Sequence, residues 1–193
     1  DIQFATKEVA THMATPHQAH WVFLKRLARY LLGAPRLVQL CSWQRPSQDI
    51  TTYTDSDWAG DKASRKSTYG GIMFLGEHAI KSWSSNQTVI ALSSTEAELY
   101  ALLKGAAQSL GLRSMAHNFG EEPGIGLFSD ASAAIAISQR NGLGKLRHIQ
   151  AQFLWLQERV AHKELSLSKI AGTSNPADML TKPLAQTDLE KYL

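Results

Sequence analysis

Four acidic residues in this chain stand in settings where they could act together. Asp55 lies in Thr54-Asp55-Ser56-Asp57-Trp58 and Glu98 in Glu96-Ala97-Glu98-Leu99, while Asp130 follows Leu127-Phe128-Ser129 and Asp178 follows Asn175-Pro176-Ala177. Each falls at the end of an expected strand or in the first turns of an expected helix, where a fold can gather side chains into one cleft. Carboxylates held together repel one another unless a hard divalent cation such as Mg²⁺ sits among them. The chemistry such a group implies is metal-assisted phosphoryl transfer.

Each acid also has an ordinary structural explanation. Asp57 and Asp61 flank Ala59-Gly60 and read as turn residues. Ser93-Ser94-Thr95-Glu96 has the form of a capping box, in which Glu96 reaches back to the backbone of the capping serine. Glu98, one turn from Leu102 on the apolar stripe, has no such role. Asp130 could cap the helix after it, and Asp178 could simply complement a helix dipole. Asp55 is hardest to explain this way, because a carboxylate inside a core strand is costly unless paired or bound to metal.

The elements that must position these residues follow from periodicity. Residues 1–45 read as helical, with a break at Thr15-Pro16 and a stop at Gly33-Ala34-Pro35. Gln44–Asp49 reads as a linker. Strands are expected at Ile50–Trp58, Gly71–Leu75 and Ala79–Ser84, with a hairpin turn at Gly76-Glu77-His78. A helix follows from about Thr95 to Leu112, then a strand at Gly124–Ser129 and an Ala/Ile-rich helix through Ile137. A further helix at Ile149–His162, a strand at Leu165–Ile170 and a final helix capped by Ser174 or Asn175 complete the pattern. This is a mixed five-stranded α/β sheet flanked by helices and preceded by a helical segment, giving two parts, 1–45 and 46–193.

Bulk properties set the bounds. A 44% hydrophobic and 19% charged composition is that of a folded globular chain. The net charge of +3 suits a polyanionic partner without requiring one. Cys41 is the single cysteine, which rules out an internal disulfide and a cysteine-based zinc site. No apolar run reaches the roughly 20 residues of a membrane span. With no signal-peptide pattern at Asp1-Ile2-Gln3-Phe4, the expectation is an intracellular piece of a longer polypeptide, with no membrane role and no secretion.

Four ordered motifs carry a family resemblance: Tyr53-Thr54-Asp55-Ser56-Asp57-Trp58-Ala59-Gly60-Asp61, Arg65-Lys66-Ser67-Thr68-Tyr69-Gly70-Gly71, Ala91-Leu92-Ser93-Ser94-Thr95-Glu96-Ala97-Glu98, and Ala177-Asp178-Met179-Leu180-Thr181-Lys182-Pro183-Leu184. Over residues ~50 to 185 the chain resembles the RNase H region of a copia-type LTR-retrotransposon Pol polyprotein. Upstream, Leu27-Ala28-Arg29-Tyr30-Leu31-Leu32-Gly33 resembles the segment joining polymerase to nuclease, so residues 1–45 would be the end of the reverse transcriptase. The resemblance implies an RNase H-like fold and hydrolysis of the RNA strand of an RNA/DNA hybrid. It implies a catalytic and metal-binding set of Asp55, Glu98, Asp130 and Asp178, with two Mg²⁺ ions (Mn²⁺ as their substitute). Asp55 would bridge both ions, Asp130 and Glu98 would complete one shell, and Asp178 would hold the other ion. The reverse transcriptase of the same polyprotein would be a partner, and a cytoplasmic virus-like particle the setting. The alternatives are a catalytically silent hybrid-binding or connection module and a DNA-directed nuclease or integrase of the same fold.

The chain departs from the family at two places. Ser84, Ser85 and Asn86 follow Trp83 where the family often carries lysines, and His148-Ile149 is followed by Gln150 in place of an acid. Lys62, Arg65 and Lys66, with Lys145, Arg147 and His148, are candidate phosphate contacts, or else solvated loop residues. His148 is either a proton-transfer or product-release residue or a capping one. Trp21, Trp43 and Trp155 are expected in the core or at an interface, and Trp58 and Trp83 in packing roles.

Overall fold

The computed structural model describes residues 2–45, 49–140, 142 and 151–192. Strand β1 (Asp49–Asp57) is the middle of a five-stranded sheet. On one side, β2 (Thr68–Leu75) and β3 (His78–Asn86) follow it as an antiparallel meander. On the other, β4 (Gly124–Ser129) and β5 (Ser166–Lys169) run parallel to it, for the order β3-β2-β1-β4-β5. Parallel neighbours need crossover connections, and helices supply them. These are α3 (Ser94–His117) before β4, then α4 (Ser132–Gln139) and α5 (Ala151–Ala161) before β5. The expected strands and helices of this region are present, with bounds shifted by a few residues.

Strand alternation divides the sheet into two faces. Ile50 and Met73 join Leu99, Leu102, Ala134, Phe153 and Leu156 in the main core. The intervening Tyr53 and Ile72 face a second, smaller cluster with Met179, Leu180 and Leu184. Helix α3 approaches β1 closely at Gly105, where a Cβ would stand 2.6 Å from Thr54 Cγ2. One turn on, the hydroxyls of Ser109 and Thr52 share a buried 2.7 Å hydrogen bond. A side chain larger than hydrogen at 105 would lift the helix from the strand it must serve.

Three expectations are corrected. The segment carrying Asp178 is not an α-helix but a 3₁₀ turn, Pro176–Leu180. Its Ala177, Met179 and Leu180 are buried, so tertiary packing rather than helical propensity sets the backbone. The Asn175 side chain accepts from Ala177 N (3.1 Å) and caps it. A short helix α6 (Gln186–Leu189) follows. Gln44 is not linker-like: its Nε2 donates to Leu75 O (2.9 Å) and its Oε1 accepts from Glu77 N (3.0 Å), pinning the chain to the β2–β3 turn.

The third correction concerns the upstream helices. Helix α1 (Gln3–Thr11) docks on the edge strand β3 through side chains spaced four apart. Gln3 exchanges two hydrogen bonds with Ser82, Lys7 Nζ donates to Thr68 Oγ1 (2.7 Å), and Asn86 Nδ2 donates to Thr11 Oγ1 (3.4 Å). Helix α2 (Gln18–Gly33) has no buried residue. Trp21 and Trp43, expected in a core or interface, are 57% and 86% exposed, whereas Trp83 is buried and Trp155 packs against the main core. Among the described residues no helix is long and apolar enough to cross a membrane.

Candidate metal centre

Asp55 is the third residue from the end of β1 and shares with Tyr53 the face beneath the 3₁₀ turn. The turn closes on it directly. Thr181 Oγ1 donates to Asp55 Oδ2, and Asn175 Nδ2 donates to Thr54 O (3.0 Å). Gly70, the register partner of Asp55 on β2, makes that closure sterically feasible. A Cβ there would lie 2.7 Å from Leu180 Cβ and 2.8 Å from Thr181 Cγ2.

Glu98 comes from the first turns of α3, on the stripe that leads through Leu102 to Gly105 and Ser109. The contacts that press α3 onto β1 therefore also aim this stripe at the strand's end. Ser56 N donates to Glu98 Oε1 (3.0 Å), while Glu98 Oε2 is buried with no hydrogen-bond partner. Glu96, the other glutamate of the motif, has a local role. Its backbone N–H donates to the capping Ser93 Oγ (3.2 Å), and its Oε2 accepts from Leu92 N (2.8 Å). The box closes one residue upstream of the expected serine.

Asp130 sits in the bend between β4 and α4. It is not the cap of α4, whose N-cap position is Ala131. The chain returns over it at Gly172, where a Cβ would stand 2.9 Å from Asp130 Oδ2. Asp55, Glu98 and Asp130 each offer an oxygen within 4.8 Å of the others, a grouping that could hold a metal ion. Asp178 stands outside this group. Its Oδ2 accepts from Lys182 Nζ (2.8 Å), and its Oδ1 is buried without a hydrogen-bond partner.

Burial and crowding shift Asp55 and Glu98 upward. Burial pushes the Asp55 carboxyl up to about 6; the Thr181 hydroxyl opposes the shift, and the charges of Asp178 and Asp130 add to it. Burial, then the charges of Asp55 and Asp130, push Glu98 up to about 9. Burial raises Asp57 as well, with Lys7 acting against it. Lys182 loses solvation on partial burial, but its bond to Asp178 and the charges of Asp55, Asp178 and Asp130 hold its pKa above the ordinary lysine value. A largely buried acidic group with an orphaned oxygen on Glu98, and a second on the nearby Asp178, fits a hard divalent cation.

The remaining candidates are divided. Lys62, Arg65 and Lys66 lie on the β1–β2 loop, beyond the strand end that carries Asp55; Lys62 and Arg65 are exposed. Asp61 orders that loop, accepting from Ala63 N (2.9 Å), Ser64 N (3.3 Å) and the Ser64 hydroxyl. Lys145, Arg147 and His148 lie outside the described residues. Sequence reasoning missed Thr181, Lys182 and Asn175 as site residues. Two of them stand inside the quoted motif Ala177–Leu184, and the third is the residue two positions before it.

The strand order, the crossover helices and the carboxylates at the strand ends define an RNase H-like α/β domain. By sequence, the homologues of the chain over its full length are retrovirus-related Pol polyproteins of copia-type transposons. It is 31% identical over 192 residues to the Pol polyprotein from transposon TNT 1-94 of Nicotiana tabacum, covering 98% of this chain and 14% of that protein. It is 29% identical over 196 residues to that from transposon RE1 of Arabidopsis thaliana, covering 100% of this chain and 13% of the relative. The chain thus corresponds to about a seventh of these polyproteins. Among solved structures it is similar to LC11-RNase H1 in complex with an RNA/DNA hybrid, at 16% identity and a TM-score of 0.47, over 69% of this chain and 94% of that one. No protein-family profile matches the chain.

Proposed function

We propose that this segment is a ribonuclease H that cuts the RNA strand of RNA/DNA hybrids by two-metal-ion catalysis. The observation that carries the reading is the convergence of Asp55, Glu98 and Asp130 within 4.8 Å of one another from three separate elements. A cleft built only to bind a polyanion gains nothing from buried carboxylates, which repel both each other and a phosphate. Homology to Pol polyproteins supports the substrate, since reverse transcription leaves RNA paired with DNA.

Asp55, Glu98 and Asp130, with Asp178, are the residues that would hold Mg²⁺ or its substitute Mn²⁺. Such ions, when bound, supply an activated water and stabilise charge developing on the leaving oxygen. The protein's own part is positioning. The Thr181 hydroxyl fixes one oxygen of Asp55, and Ser56 N fixes one oxygen of Glu98 and leaves the other unengaged. Lys62, Arg65 and Lys66 would meet phosphates along the duplex, with Lys145, Arg147 and His148 as further contacts. In this reading residues 1–45 belong to the connection with the reverse transcriptase, the polyprotein partner, inside a cytoplasmic virus-like particle.

The test is cleavage of a hybrid labelled on its RNA strand, with Mg²⁺ and with EDTA, beside the Asp130→Asn variant. Single-stranded RNA, duplex RNA and duplex DNA are run in parallel. The expected result is metal-dependent cutting of the hybrid's RNA alone, lost in the variant. A folded protein that binds hybrid without cutting would point instead to a silent binding module, and cutting of duplex DNA to a DNA-directed nuclease.

A further inference from the structure

The fourth carboxylate is paired with a cation of the protein's own. Lys182 and Asp178 are four residues apart across the end of the 3₁₀ turn, and Lys182 Nζ lies 2.8 Å from Asp178 Oδ2. The Lys182 side chain is 48% exposed, so it has room to leave, whereas that of Asp178 is only 14% exposed. Asp178 Oδ1 remains buried and without a hydrogen-bond partner, so the lysine satisfies half of the carboxylate only. Asp178 lies outside the group formed by Asp55, Glu98 and Asp130. Its neighbour Thr181 is bonded to Asp55, so both ends of this short segment are engaged with the acidic site.

We infer that Lys182 is a built-in counter-ion, which neutralises Asp178 while metal is absent and competes with a divalent ion for that carboxylate. The inference rests on the metal-binding reading above and adds a competition to it. Two positive groups cannot share one carboxylate oxygen at contact distance without strong repulsion, and a divalent ion carries the greater charge. The mobile partner is the lysine, because its four-carbon stem is flexible and its head already reaches solvent. With the lysine head half in solvent, the pair is one that a divalent ion can contest. In this account Lys182 is a positioning residue that sets when the fourth ligand becomes available, and it touches no reacting atom.

The experiment is calorimetric titration of the whole chain with Mn²⁺ alone, no nucleic acid present, for the parent, Lys182→Met and Lys182→Arg. Unfolding temperatures in EDTA are measured on the same samples. The expected result is tighter Mn²⁺ binding in Lys182→Met, about threefold to tenfold, with a lower unfolding temperature in EDTA. Lys182→Arg, which keeps the charge, should bind Mn²⁺ close to the parent's affinity. A Lys182→Met protein that is less stable in EDTA but has the parent's Mn²⁺ isotherm would overturn the inference, leaving an ordinary helical-spacing ion pair. No Mn²⁺ binding by any of the three would overturn both the inference and the metal reading beneath it. Should Lys182→Met fail to fold, Lys182→Gln makes the same comparison with a polar side chain.

Discussion

Two regions of the site are built to different tolerances. Asp55, Glu98 and Asp130 ride on a central strand, on a helix clamped to it and on a bend beneath Gly172, all anchored in the main core. Asp178 rides on a five-residue 3₁₀ turn, backed by a smaller cluster of Ile72, Met179 and Leu180 and paired with a half-exposed lysine. The difference teaches that the three most crowded carboxylates are held by elements set in the main core, whereas Asp178 depends on a short buried turn and on a half-exposed partner. Rigid elements hold a costly arrangement that loops would relax.

The largest effect expected on this contrast is chemical. Asp130→Asn should lower metal-dependent cleavage by at least about a hundredfold while the protein stays folded, read from single-turnover cleavage and circular dichroism together. Near-parental turnover would remove Asp130 from the rigid group.

Next comes the pH dependence of the metal-free protein. Burial and mutual repulsion raise Asp55 from 3.8 to about 6 and Glu98 from 4.5 to about 9. Acids raised on folding are held protonated by the native state, so their favourable contribution is complete below the unfolded values and is lost as pH climbs to the folded ones. Stability in EDTA should therefore fall between about pH 4 and pH 9, by several kcal/mol, with Glu98 the larger contributor, and saturating Mg²⁺ should flatten the slope. Denaturant melts across that range, with and without Mg²⁺, give the comparison directly. A flat profile in EDTA would mean that Asp55 and Glu98 are not jointly buried.

Gly70→Ala probes the short turn. The added methyl would overlap Leu180 and Thr181, so the 3₁₀ turn must lift, at a cost of about 1–3 kcal/mol. Cleavage should fall as well, because the Thr181 hydroxyl would lose its hold on Asp55. Unchanged stability would show that the turn already has room to move.

The smallest effect separates the two glutamates. Glu96→Gln should cost about 1 kcal/mol or less, from a weakened cap at Leu92 N, and should leave cleavage within a few-fold of the parent. Loss of cleavage in Glu96→Gln together with retention in Glu98→Gln would exchange their roles.

Much of this contrast was legible in the residues. Alternation in Ile50–Asp57 marks a strand, and the apolar stripe of α3 marks Glu98 as inward-facing and Glu96 as a cap residue, because both patterns are local. The 3₁₀ turn was not legible as such: Pro176 and Asn175 announce a helix start, but the burial of Met179 and Leu180 against β2 comes from residues a hundred positions away. Thr181 escaped notice for the same reason, since Asp55 becomes its neighbour only when the turn closes on β1, whereas the pairing of Lys182 with Asp178 is local to the turn. The exposed apolar residues of α2 read as a core face, yet no element of the described chain covers them.

The Asn175 side chain, which joins Thr54 O to the start of the turn, spans 121 positions in sequence. β5 ends at Lys169, only a few residues before Asn175, so on a growing chain β1, β2 and β3 can pair well before this link becomes available, whereas β5 and the link become available almost together. Until then the end of β1 lacks both the Asn175 bond and the Thr181 hydroxyl. This arrangement makes closure over the end of β1 a later event than the pairing of β1 with β2 and β3, set by the order in which codons are read.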